Sequence, residues 1–180
     1  GNGCAMRNLV IGLCLYREEQ LEELIDVSVI TSQLTHNSAL GYLGGFTTAF
    51  FTSLAIRKVD ILKWPYLLLE QLKSDKMVSF IRKTVSQETR DYMDFIMYWE
   101  KHIDNRFDND RKLIKIKSFG NPMYRIKYYY DQFTVGTNAY MIGDSAFLAT
   151  IMAYDAVLDS GGNWEKLIVF GMLHVGDSDT

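Results

Sequence analysis

A chain of 180 residues with net charge −3, 48% hydrophobic and 13% aromatic residues is long and apolar enough for one domain with its own core. That composition excludes a disordered chain, and the lack of a basic stripe excludes nucleic acid as the main partner. Two cysteines, Cys4 and Cys14, make no disulfide framework and point to a reducing compartment, which places the protein in the cytoplasm.

The chain opens on GNGCAMR, Gly1 to Arg7, where two glycines flank an asparagine just before a helical spacing of Met6, Leu9, Val10, Leu13 and Cys14. Glycine lets backbone approach a ligand, and free N–H groups at a helix start favour anions, so the stretch reads as a phosphate cradle or as an ordinary capped helix start. Leu21, Leu24, Ile25, Ser28 and Val29 form a second helical face, which His36 continues after Ser32. His36 then stands at a junction of two apolar helices, as a satisfied core histidine or a ligand contact. The next stretch, LGYLGGFTTAFFTSLAI (Leu40–Ile56), carries no charge over about 17 residues, the low edge of a membrane span. It is rich in Gly, Thr and Ser and has no aromatic belt, which predicts a buried core helix with Gly41, Gly44 and Gly45 allowing close packing.

Pro65 after Trp64 predicts a helix start, and Tyr92, Phe95, Ile96, Trp99, Ile103 and Phe107 form a long amphipathic stripe. Between Asp104 and Asn138 the pattern weakens; IKYYYDQF fits a strand or a helix, and the basic run Arg111–Lys117 reads as a solvated face. Met141–Leu158 is apolar again and stops at Gly161–Gly162, after which Asn163 caps a helix carrying Trp164, Leu167, Ile168, Gly171, Met172 and Val175. Strands are scarce and no βαβ alternation or internal repeat occurs, so the prediction is a single all-α domain of packed helices.

The last seven residues, HVGDSDT, hold Asp177, Asp179 and Thr180. These are hard oxygen donors, suited to Mg²⁺, Mn²⁺ or Ca²⁺ rather than zinc, or alternatively a capping turn. They are too few to fill the octahedron that Mg²⁺ requires.

Taken in order, GNGCAMR, LTHNSALGYLGG, MAYDAVLDSGGNWEKL and HVGDSDT resemble the ADP-ribosylglycohydrolase family, which includes the nitrogenase-reductase-activating glycohydrolases. AYDAVL, NWEKL and the Tyr92–Ile103 helix resemble its ADP-ribosylarginine hydrolase branch. The resemblance implies an all-α, orthogonal helical bundle of which residues 1–180 are one partial domain, incomplete at both ends. It implies two Mg²⁺ ions under the ribose of ADP-ribose, with Asp177, Asp179 and Thr180 as one half of their ligand set. Gly1, Asn2 and Gly3 would cradle the diphosphate, His36 would lie near the ribose, and the loop holding Gly143 and Ser145 would embrace the adenosine end.

The implied activity is removal of ADP-ribose from ADP-ribosylated arginine on proteins, by a monomer with neither nucleic acid nor membrane as partner. The alternatives are an inactive pseudoenzyme of the same fold with a binding or structural role, or a hydrolase of serine-linked or polymeric ADP-ribose. The family's earlier Thr/Ser-Asp-Asp cluster and Glu-bearing helix are not in this sequence, so the general base is expected outside it. The branch's GHDAP run is replaced by Phe147–Leu148–Ala149–Thr150. Because the metal donors lie at the far end of the chain from Asn2, the expectation is that Asn2→Ala leaves Mg²⁺ affinity alone and disturbs ADP-ribose less than Gly3→Val.

Overall fold

The computed structural model describes residues 1–82, 86–134 and 141–178. In chain order the helices are α1 (Gly3–Arg7), α2 (Leu9–Cys14), α3 (Leu21–Gln33), α4 (Ala39–Ile56), α5 (Trp64–Leu72), α6 (Asp75–Phe80), α7 (Ser86–Arg106), α8 (Pro122–Tyr129), α9 (Ala146–Ser160) and α10 (Trp164–Met172). Among the described residues there is no strand beyond an isolated bridge between Phe107 and Leu113, in agreement with the all-α expectation.

Everything is organised around α4. Ser38 starts it, its Oγ accepting from the Leu40 N–H at 3.2 Å. Having no charged residue, the helix is apolar all round, and it is 72% buried by its own chain. α1, α2 and α3 pack on it, as do α5, α7 and α9, so a helix long enough to cross a membrane is here a core helix.

Two adjacent glycines make the closest approaches. A Cβ on Gly44 would lie 2.4 Å from the Ala146 Cβ of α9, and one on Gly45 would lie 2.2 Å from Ser32 Oγ of α3 and 2.7 Å from Asn8 Nδ2. Glycine inside a helix costs ~1 kcal/mol relative to alanine. Gly44→Ala recovers that propensity but forces α9 away from α4, an overpacking that costs ~1–3 kcal/mol. We expect net destabilisation, read as a lower urea midpoint at unchanged slope; a raised midpoint would show that α9 slides freely.

The N-terminal face differs from expectation. The spacing places Met6, Leu9, Val10 and Leu13 on one stripe, yet all four are exposed. The chain breaks at Asn8 into two short helices, and these touch α4 through their small residues instead. A Cβ on Gly12 would lie 2.2 Å from the Ala49 carbonyl oxygen, so the glycine side of α2, not its aliphatic side, meets the core.

α7 carries the stripe as expected: Tyr92, Phe95, Ile96, Trp99 and Phe107 are buried. Its first turn is tied to the α3–α4 junction, because the buried Glu88 accepts from Tyr42 Oη at 2.9 Å and pairs with Arg82. Its last turn enters a buried ionic cluster. Arg106 pairs with Asp159 at 2.6 Å and lies 3.5 Å from Asp155, Arg125 pairs with Asp159 at 2.7 Å, and Tyr129 Oη donates to Asp155 at 2.9 Å. His102 sits beside Asp155, and burial, opposed by that carboxylate, keeps its pKa below the usual value. Two arginines against two aspartates balance the charge and join α7, α8 and α9.

The ambiguous IKYYYDQF is helical. α8 contains its first four residues, and the chain continues as a π-turn over Tyr130–Thr134, with Tyr129 and Phe133 buried. At the other end, Gly161 adopts φ 58° and closes α9, and Asn163 Oδ1 accepts from the Lys166 N–H at 2.8 Å to start α10, both as the sequence predicts.

Candidate active site

α1 has only five residues, and Asn2 precedes it without capping it. The Asn2 amide instead reaches across the molecule. Its Nδ2 donates to the Gly143 carbonyl at 2.8 Å and to Asp177 Oδ2 at 2.5 Å. Three segments 141 and 175 residues apart from the chain start thus meet at one side chain.

Each segment is shaped for the meeting. Gly143 has φ 90°, a region that side-chain-bearing residues rarely adopt. The Asp177 N–H donates to the Ile142 carbonyl at 2.8 Å. Gly176 lies so close to that strap that a Cβ would be 2.4 Å from the Ile142 oxygen. The carboxylate of Asp177 is therefore held from the backbone side by residue 142 and from the side-chain side by Asn2. Asp179 and Thr180, the other two predicted metal donors, lie outside the described residues.

His36 closes the same corner. It is half-buried, not a core histidine, and it lies against the opening turn: a Cβ on Gly1 would be 3.5 Å from its Nε2 and one on Gly3 3.6 Å from its Cε1. Arg7 Nη1 donates to Thr35 Oγ1 at 2.7 Å, and that hydroxyl lies 2.8 Å from His36 Nδ1. Partial burial, and then the positive charge of Arg7, lower the pKa of the ring and favour its neutral form. His36 Nδ1 is thus engaged with Thr35, and Nε2 is the nitrogen facing Gly1. Ser145 stands at the N-cap position of α9 with extended backbone, and its side chain makes no cap hydrogen bond.

Asp177 also lines a cleft of about 410 Å³ between α9 and α10, bounded by Met152 and Ala156 of α9, by Leu167 and Met172 of α10, and by His174. Burial lowers the His174 pKa, and its Nδ1 accepts from the Gly176 N–H at 3.1 Å. The Asp177 carboxylate is chemically suited to a hard cation such as Mg²⁺. Among the described residues, though, no three His, Cys, Asp or Glu side chains are grouped to hold a metal.

The sequence model of the ADP-ribosylglycohydrolase family matches residues 1–180. This chain belongs to the ADP-ribosylglycohydrolase family. It is 37% identical over 186 residues to a protein of Acanthamoeba polyphaga mimivirus named as an ADP-ribosyl glycohydrolase, with all of this chain and 35% of the viral protein covered. It is 31% identical over 199 residues to the ADP-ribosylhydrolase ARH1 of Dictyostelium discoideum, again over all of this chain and 50% of that protein. The chain therefore spans half or less of the length of these relatives. A glycohydrolase family accords with the meeting of the GNG turn, the Gly143 loop and the GDSDT run, whose partnership spacing alone could not have disclosed. What the sequence did not disclose is the role of the Asn2 side chain: the expected cradle drew on backbone N–H groups, and the signal of another role was a polar side chain fixed between two glycines.

Proposed function

We propose that this ADP-ribosylglycohydrolase-family chain supplies one wall of the site of an ADP-ribosylarginine hydrolase, which cleaves the N-glycosidic bond between ribose C1″ and an arginine guanidinium nitrogen. The observation that supports it is the convergence of Asn2, Gly143 and Asp177 next to a neutral His36. Cleavage of that bond develops positive charge on the ribose, and a fixed carboxylate beside it stabilises the transition state more than the ground state. Asp177 is the residue to which this reading gives that role. The neutral His36, packed against the Gly1–Gly3 turn, is not a cation competing with the metal.

Mg²⁺, when bound by Asp177 together with Asp179, Thr180 and donors from elsewhere in the complete protein, would bind the ribose hydroxyls and polarise water. The general base is assigned to none of the residues described. Arginine linkage is favoured over serine-linked or polymeric ADP-ribose by the relative named ARH1.

The test uses the complete protein with peptides ADP-ribosylated on arginine or on serine and with poly-ADP-ribose. Expected is release of ADP-ribose from the arginine peptide at least ~10-fold faster than from the others, lost with a chelator and regained with Mg²⁺. Release from serine alone would replace the linkage, and release indifferent to chelation would remove the metal.

A further inference from the structure

We infer that Asn2 is a positioning residue for Asp177: its amide fixes the rotamer in which the carboxylate faces the ligand. The inference rests on the reading that Asp177 contacts the ligand, and it overturns the expectation that Asn2 and the GDSDT run act independently.

The argument is one of donors. A primary amide nitrogen carries two protons. Here one goes to the Gly143 carbonyl at 2.8 Å and the other to Asp177 Oδ2 at 2.5 Å. The first bond orients the amide, so the second proton points where the carboxylate must be. Asn2 is almost fully buried, and its immediate neighbours Gly1 and Gly3 pack beside His36. The backbone of Asp177 is separately fixed by its N–H bond to Ile142, which leaves side-chain rotation as the variable that Asn2 controls. No other common side chain does this at the same length. Aspartate would place a second carboxylate against the first, serine is too short to span both acceptors, and alanine removes the amide bond to Asp177 altogether. The hydrogen bond to a carboxylate is also of the stronger, charge-assisted kind.

A double-mutant cycle in the complete protein tests this, with ADP-ribose binding in saturating Mg²⁺ as one readout, Mg²⁺ binding alone as a second, and thermal melts in parallel. Asn2→Ala is expected to weaken ADP-ribose about tenfold, the scale of one hydrogen bond to a charged group. Asp177→Ala should weaken it at least as much, and the double variant should bind no worse than Asp177→Ala alone. Asn2→Asp, nearly isosteric and so a check on folding, should lose at least as much affinity as Asn2→Ala. A purely structural role for Asn2 predicts additive losses that follow the melting temperature, and that result overturns the inference. Unchanged affinity in folded Asn2→Ala and Asn2→Asp, with Asp177→Ala impaired, overturns it while leaving the proposed site intact. Unchanged affinity in Asp177→Ala removes the reading on which it rests.

Discussion

Asp155→Ala should destabilise the fold by about 3–5 kcal/mol, a third or more of the stability of a typical domain. Asp155 is fully buried among Arg106, His102 and Tyr129. Deleting its carboxylate leaves Asp159 as the remaining partner of the Arg106 guanidinium, which is itself fully buried and stacks 4.7 Å from the centre of the Phe119 ring. Water cannot follow, so the desolvation cost of Arg106 loses part of its compensation. Asp159→Ala should cost markedly less, because the Asp159 side chain is 17% exposed and water can reach the vacated place. Urea unfolding of both variants measures the contrast. Equal losses would mean that the two carboxylates share the charge of Arg106 and Arg125 evenly.

Asp177→Asn in the complete protein should lower kcat/KM for ADP-ribose release about 100-fold, or ~2.7 kcal/mol of transition-state stabilisation. The melting temperature should stay within about 2 °C. The substitution keeps an oxygen that can accept from Asn2 and keeps the backbone bond from residue 177 to Ile142. It removes only the negative charge, which is the property that a hard cation and a developing ribose cation both need. Normal turnover with a depressed melt would instead make the run a structural turn.

Much of the scaffold could be read in advance because its signals are local. The charge-free run of α4, the stripe of α7, and the glycine stop and asparagine cap between α9 and α10 each depend on residues within a few turns of one another. The face of α1 and α2 misled because amphipathic spacing says which residues share a side, not which side the chain turns inward; at Gly12 and Gly45 backbone proximity decided it. IKYYYDQF was ambiguous because consecutive aromatics satisfy both periodicities, and a π-turn obeys neither. The ionic cluster had a faint sequence mark, an aspartate inside the otherwise apolar AYDAVL, but its partners Arg106 and Arg125 lie in other helices. At the candidate site residue chemistry marked Asp177 as a hard oxygen donor and His36 as a core histidine or a ligand contact, whereas Gly143 was named only through family resemblance. The hydrogen bond of Asn2 to Asp177 joins residues 175 positions apart, and no periodicity reports on that.

Gly44 faces α9, which follows the Gly143 loop, and Gly45 faces Cys4, Asn8 and Ser32, which flank the opening turn. Two neighbouring codons therefore govern the two jaws of the corner separately. A methyl group added at the first shifts the loop of residue 143, and one added at the second shifts the turn of residue 2, each with the opposite jaw left in place. The spacing of the corner can thus be altered by mutation from within the core, at positions that line neither jaw's outer face.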